Sequence, residues 1–164
     1  MSGNQNSRTS TIVRWCLLVI VLAVALGFTV AWHAAIAPAK PPHASFNPWL
    51  IRRGAQLAAI GNCAACHTTT DASSYSGGLP LRTPFGTVFS TNITPEPNTG
   101  IGAWSEAAFR RAMHEGISRD GHLLYPAFPY DHFTRISDDD VKALYGFLMT
   151  RDPVNAPART NQIR

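Results

Sequence analysis

Apolar residues follow three regimes along the chain. From Trp15 to Trp32 no residue is charged. At about 1.5 Å per residue this run gives roughly 27 Å of helix, and continuing past His33 to Ala37 adds about 7 Å, enough for a hydrocarbon core. Tryptophans at both ends suit the two interfaces, and Arg8 and Arg14 favour a cytoplasmic amino terminus. The pattern predicts a polar segment at 1–14, a single membrane anchor at 15–37 and an exported remainder. Ala35-Ile36-Ala37 resembles a small-x-small cleavage site. Pro38 follows it directly and the run is long for a signal peptide, so a retained anchor is the expectation.

The second regime is broken. Pro38, Pro41 and Pro42 predict an extended linker over 38–46. Residues 68–103 are punctuated by glycine and proline and read as a long loop, with room for a short extended segment between Phe85 and Ile93. Residues 117–136 read as a second loop.

The third regime is helical. Asn47 and Pro48 have the chemistry of an N-cap and first helical residue. Trp49, Leu50, Arg53, Leu57 and Ile60 then form a stripe, with Gly54 allowing close approach of a second helix and Gly61-Asn62 ending it. Ser105 opens a helix to about Glu115 with Ala108, Phe109, Ala112 and Met113 on one face, and Gly116 stops it. Ser137 is an N-cap, Asp140 approximates the third residue of a capping box, and Val141, Leu144, Tyr145 and Leu148 supply the buried stripe. These helices define a domain at 47–150 and a tail at 151–164. The fold class expected is all-α, a domain of three to five helices with long loops, preceded by one transmembrane helix.

Charge adds little to this picture. The net charge is +4, from 14 Lys and Arg against 10 Asp and Glu. The basic residues are scattered, with no block interleaved with aromatics, which excludes a phosphate-tracking surface and hence nucleic acid as a partner. Nothing in the pattern sets an oligomeric state. The three cysteines change it more. Cys16 lies in the apolar run, so a disulfide scaffold is excluded.

The other two lie in Cys63-Ala64-Ala65-Cys66-His67. Two thiols three apart, with histidine directly after the second, fit covalent attachment of one c-type haem per chain. Cys63 and Cys66 add across the vinyl groups, and His67 supplies the proximal iron ligand. A thioredoxin-like pair would need a βαβ setting, and a zinc site would need a fourth ligand. Trp104, Tyr125, Tyr130 and Arg82 are candidate haem contacts, with Arg110 and Arg111 as further propionate partners. Haem c is attached outside the cytoplasm in bacteria, so the domain is expected in the periplasm, held to the cytoplasmic membrane.

Residues 47–150 resemble a class I c-type cytochrome domain. Thr83-Pro84-Phe85-Gly86-Thr87, Ser90-Thr91-Asn92-Ile93-Thr94-Pro95, Gly100-Ile101-Gly102-Ala103-Trp104-Ser105 and Leu124-Tyr125-Pro126-Ala127-Phe128-Pro129-Tyr130 are similar to one group. These are the cytochrome c subunits of membrane-associated bacterial dehydrogenases acting on alcohols, aldehydes, gluconate or N-heteroaromatic substrates. Such subunits commonly carry three haem domains, whereas this sequence holds one haem motif.

Many members also place an iron-ligating methionine where this chain has Phe128. The distal ligand is therefore open. His132, in the same loop, is the first candidate and Met149 the alternative. Met113, His114, His122 and an unligated or water-bound position complete the set. The resemblance implies a non-enzymatic electron carrier between a dehydrogenase and a respiratory acceptor. A haem sensor or peroxidase-like protein with an exchangeable distal site, and a structural haem subunit, are the competing readings.

Overall fold

The computed structural model describes residues 3–40, 46–70 and 72–164. The chain divides into two compact units, Met1–Ala34 and Ala35–Arg164. The first is built on one helix, α1 (Gly3–Ala31). Its stretch Thr11–Thr29 is long and apolar enough to cross a membrane, with a mean hydropathy of 2.4 and none of it buried. Residues 32–37 lie beyond the end of α1.

In the second unit the helices begin and end where local chemistry directs them. The Asn47 side chain accepts from Trp49 N at 2.9 Å, opening α2 (Pro48–Ile60). A short helix, α3 (Cys63–His67), follows after Asn62, which takes a left-handed φ of 55°. Ser105 Oγ accepts from Ala108 N to open α4 (Glu106–Glu115), and Gly116 closes it at φ 65°. Ser137 Oγ accepts from Asp140 N to open α5 (Asp138–Met149). A 3-10 turn, Tyr130–His132, sits in the second loop.

The main packing event is α2 against α5. A Cβ added at Gly54 would stand 2.0 Å from the Ala143 carbonyl oxygen and 2.6 Å from Phe147 Cβ, so the two backbones meet at this glycine. Phe109 and Met113 of α4 join Ala58, Ile101, Val141, Leu144, Tyr145, Phe147 and Leu148 in one buried cluster. The Tyr145 hydroxyl donates to the Trp104 carbonyl at 2.8 Å, which satisfies the polar end of a buried aromatic ring. The capping box expected at Ser137 is half made. The Asp140 carboxylate is taken by Arg53 of α2 at 2.9 and 3.1 Å, linking the two helices at a second point.

The long loop contains more order than its composition implies. β1 (Pro80–Thr83) and β2 (Gly86–Phe89) form an antiparallel hairpin, and β3 (Gln162–Ile163) adds to β2. Thr83 Oγ1 accepts from Phe85 N and donates to the Gly86 carbonyl, which pins the turn. The tail is folded back over the loop. The Val154 carbonyl accepts from Asn92 Nδ2 at 2.7 Å, and Asn161 Oδ1 accepts from Phe89 N at 2.9 Å.

The last residues of the expected anchor and the start of the expected linker belong to the second unit. Ile36 N donates to the Arg119 carbonyl at 2.7 Å and Ala39 N to the Ala103 carbonyl at 2.9 Å. Pro41 and Pro42 lie outside the described residues.

Candidate functional site

The five motif residues occupy a little more than one helical turn directly after α2. A helical turn brings residues three apart onto neighbouring positions of one face, which is the relation Cys63 has to Cys66. Both thiols are free, Cys66 exposed and Cys63 half-buried against the core cluster. Burial pushes the Cys63 thiol above its ordinary range, with the neighbouring Cys66 adding to the rise and a backbone hydrogen bond opposing it.

The His67 ring is fixed by one hydrogen bond, Nδ1 to the Thr91 carbonyl at 2.7 Å. A carbonyl oxygen only accepts, so Nδ1 carries the proton. In the neutral ring Nε2 then keeps its lone pair, the state an iron ligand requires. Burial holds the imidazole below its usual range, against the opposing effect of the Thr91 bond. The support continues outward. Gly77 N donates to the His67 carbonyl at 2.8 Å, and a Cβ at Gly77 would stand 2.4 Å from the Thr91 carbonyl carbon. Asn92, next in the chain, is tied to Thr99 Oγ1 at 3.1 Å as well as to Val154.

These residues fit a haem better than a bare metal ion. Among the described residues no three of His, Cys, Asp and Glu gather as an ion's ligands. Cys63, Cys66 and His67 therefore do not converge on one point, as zinc would demand. A porphyrin presents its vinyl carbons and its iron at separate positions and suits a spread set. Large apolar side chains are also left open, with Ile60 81% exposed, Phe85 67% and Leu123 69%. They lie just before the motif, at the hairpin turn and in the second loop.

The remaining candidates are placed as follows. Tyr125 is half-buried with its hydroxyl 3.4 Å from Thr83 Oγ1, joining the second loop to the hairpin. Tyr130 lies against Gly116, where a Cβ would meet its ring at 2.7 Å. Trp104 is half-buried on the core. Arg82 alternates with Leu81 and Thr83 and is exposed on the opposite sheet face. The His132 side chain is 75% exposed, with Nε2 3.8 Å from the Asp131 carboxylate. Met149 packs half-buried on the core cluster and Met113 is buried within it. His122 pairs with Asp120 at 2.6 Å, and His114 has a buried Nε2 without a hydrogen-bond partner. Phe128 stacks on Phe133, centroids 5.6 Å apart and planes 12° from parallel, and both rings lie on the core.

Sequence reasoning did not single out Thr91, Gly77 or Phe133. Thr91 acts through its backbone carbonyl, which no side-chain identity announces. The available signals are the motif Ser90–Pro95, which contains Thr91 without naming its role, and Gly77-Gly78, where glycine permits a left-handed φ and the chain takes 76° and 86°.

A family model described as cytochrome c matches residues 51–152. The chain belongs to the cytochrome c family. That membership implies covalent haem c attachment and a non-catalytic role, in keeping with the all-α fold. The chain is 53% identical over 148 residues to a nicotinate dehydrogenase subunit of Pseudomonas putida, covering 88% of this chain and 12% of that protein. It is 48% identical over 100 residues to an alcohol dehydrogenase (quinone) cytochrome c subunit of Gluconobacter oxydans, covering 61% and 21%. It is 47% identical over 103 residues to a gluconate 2-dehydrogenase cytochrome c subunit of Pantoea cypripedii, covering 63% and 23%. The chain thus spans a quarter or less of the length of these relatives. The amino-terminal helix is a single membrane-spanning anchor, and the cytochrome domain lies on its periplasmic side.

Proposed function

We propose that this cytochrome carries single electrons, through one covalently held haem c, from a periplasmic or membrane-associated dehydrogenase to a respiratory acceptor. The observation that carries the reading is the motif turn, two free thiols three residues apart followed by an imidazole oriented through Thr91. Haem, when bound, supplies an iron that changes by one electron with little change of geometry. The protein's share is to hold it. Cys63 and Cys66 are the attachment points, His67 presents Nε2, and the Thr91 carbonyl fixes the ring's orientation and raises its basicity. Tyr125, Tyr130, Trp104 and Arg82 remain the candidate haem contacts, and His132 or Met149 the distal ligand. The dehydrogenase partner is supported by the names of the similar subunits.

The test is the pyridine haemochrome spectrum of the purified full chain. One haem with both thioethers gives the c-type α band, and Cys66→Ala shifts it toward the single-thioether position while retaining haem. A wild-type chain without covalent haem would overturn the reading. Near-infrared and low-temperature magnetic spectra of the oxidised protein address the distal ligand. A thioether band selects methionine, and bis-imidazole signals lost in His132→Ala select His132.

One observation favours a second reading, an exchangeable distal position. Phe128 has no lone pair and is engaged in a ring stack with Phe133. Rapid, complete binding of carbon monoxide to the ferrous protein is the expected outcome of that arrangement. A low-spin spectrum untouched by carbon monoxide would remove it.

A further inference from the structure

The charge of the second unit is divided unevenly. Residues 72–95 and 153–164 hold Arg82, Arg159 and Arg164 and no Asp or Glu. In the rest of residues 35–164, ten acids face nine Lys and Arg. The acid-free segments are the ones the fold joins, since β1 and β2 come from the first and β3 from the second. A module that is distant in sequence is thereby made into one cationic surface.

The register says which face carries the charge. Arg82 pairs with Thr87 and Thr87 with Gln162, so these three share a face. Leu81 and Val88 share the other, where Val88 is buried. Phe89 is on the face with Arg82, and the Arg159 guanidinium lies over its ring at 4.6 Å. Arg82, Arg159 and Arg164 are all exposed. The face thus combines a flat polar strand surface, one half-buried aromatic ring and three cations. It is also connected to the proximal ligand. Thr91, which accepts from His67, lies two residues beyond the end of β2.

We propose that this sheet face is the docking surface for an acidic protein that exchanges electrons with the cytochrome. The proposal rests on the electron-carrier reading above. Complementary charge raises the encounter rate and fixes orientation, and the effect is lost as salt shortens the screening length. The α-helices of the second unit, by contrast, balance five Asp and Glu against five Lys and Arg and offer an acidic partner no net attraction.

The experiment uses the haem-loaded full chain in zwitterionic nanodiscs. Reduced cytochrome is mixed with an oxidised acidic blue-copper protein, and one electron passes from cytochrome to copper without a proton. Arg159→Glu/Arg164→Glu reverses two charges at exposed positions and leaves Arg82, a candidate haem contact, in place. Arg52→Glu/Lys142→Glu, at exposed positions on α2 and α5, makes the same change in net charge. The expected result is a bimolecular rate about tenfold lower for the sheet variant at low salt, a smaller loss for the helix variant, and convergence near 0.5 M salt. A binding readout accompanies it. Association of the two reduced proteins, where no electron moves, weakens in the same order.

Equal losses in the two variants, or none in either, overturn the proposal. So does a loss seen with ferricyanide alone, which would make the face a local field and not a docking surface. So does a loss confined to phosphatidylglycerol nanodiscs, which would assign the face to lipid. A wild-type protein that exchanges no electron with copper protein or ferricyanide would instead sink the carrier reading itself.

Discussion

Gly54→Ala tests whether the crossing of α2 and α5 sets the stability of the cytochrome domain. The added Cβ would lie 2.0 Å from the Ala143 carbonyl oxygen, more than 1 Å short of van der Waals contact. Backbone cannot rotate aside, so α5 must shift as a whole. Overpacking of this kind costs about 3 kcal/mol or more at the upper end of its range. Alanine's better helix propensity offsets about 1 kcal/mol. The net expectation is a loss of about 2–3 kcal/mol, or about 6–15 °C in Tm for a domain of this size.

Gly146→Ala is the internal comparison. It makes the same chemical change on α5, but the new Cβ meets the ends of Leu50 and Phe46 at 2.9 and 3.0 Å, and these can turn away. Its Tm should stay within about 4 °C of wild type. The assay is thermal unfolding of the haem-loaded protein, followed by circular dichroism and by haem absorbance. If Gly146→Ala proves the more damaging, or Gly54→Ala leaves Tm unchanged, backbone contact at Gly54 is not what fixes this interface.

Three further outcomes follow from the geometry. Gly77→Ala requires both a strained φ of 76° and displacement of Thr91, so covalent haem yield should fall severalfold, read from haem absorbance per protein; an unchanged yield and spectrum would show that Thr91 does not hold His67 in place. Arg53 holds the Asp140 carboxyl below its usual range, chiefly through its hydrogen bond, so the pair's stabilisation should be full above the unfolded carboxylate range near pH 4 and fade as pH falls through the lower folded value. Denaturant midpoints of wild type and Asp140→Asn should therefore converge in acid, and a constant gap would contradict the linkage. The anchor Thr11–Thr29 should keep the mature protein in the membrane pellet after an alkaline carbonate wash, whereas release as a shortened soluble chain would indicate cleavage.

Local chemistry was legible in the sequence and long-range pairing was not. Asn47-Pro48, Ser105, Ser137 and Gly116 each announce a helix boundary through atoms within three residues, and each acts as read. The expected stripe Val141, Leu144, Tyr145 and Leu148 is buried, but so are Ala143, Gly146 and Phe147, because α2 packs on a second side of α5 that the period did not mark. The partner of Asp140 did not follow, because Arg53 lies 87 residues away and a capping box is the local alternative. The third strand is invisible for the same reason, since Gln162 and Ile163 have no strand pattern of their own and are ordered by β2. At the site, Cys63, Cys66 and His67 are named by spacing alone. The Thr91 carbonyl, the nearest support of His67, has no signature, because any residue type offers the same oxygen. The distal candidates are split between the second loop, with His132, and the end of α5, with Met149, and neither period nor cap chooses between them.

The tail that covers the long loop also bears on the order of events during maturation. Asn92 reaches Val154 across 62 residues, and Phe89 reaches Asn161 across 72. Contacts at such separation close late, after the chain between them is complete. A nascent chain emerging amino terminus first presents Cys63 and Cys66 before residues 154–161 are available to bond Asn92 and Phe89 on either side of Thr91. The contacts that tie the segment bearing Thr91 to residues 154–161 are thus among the last to form, after the Cys63–His67 turn, whose own backbone contacts are local.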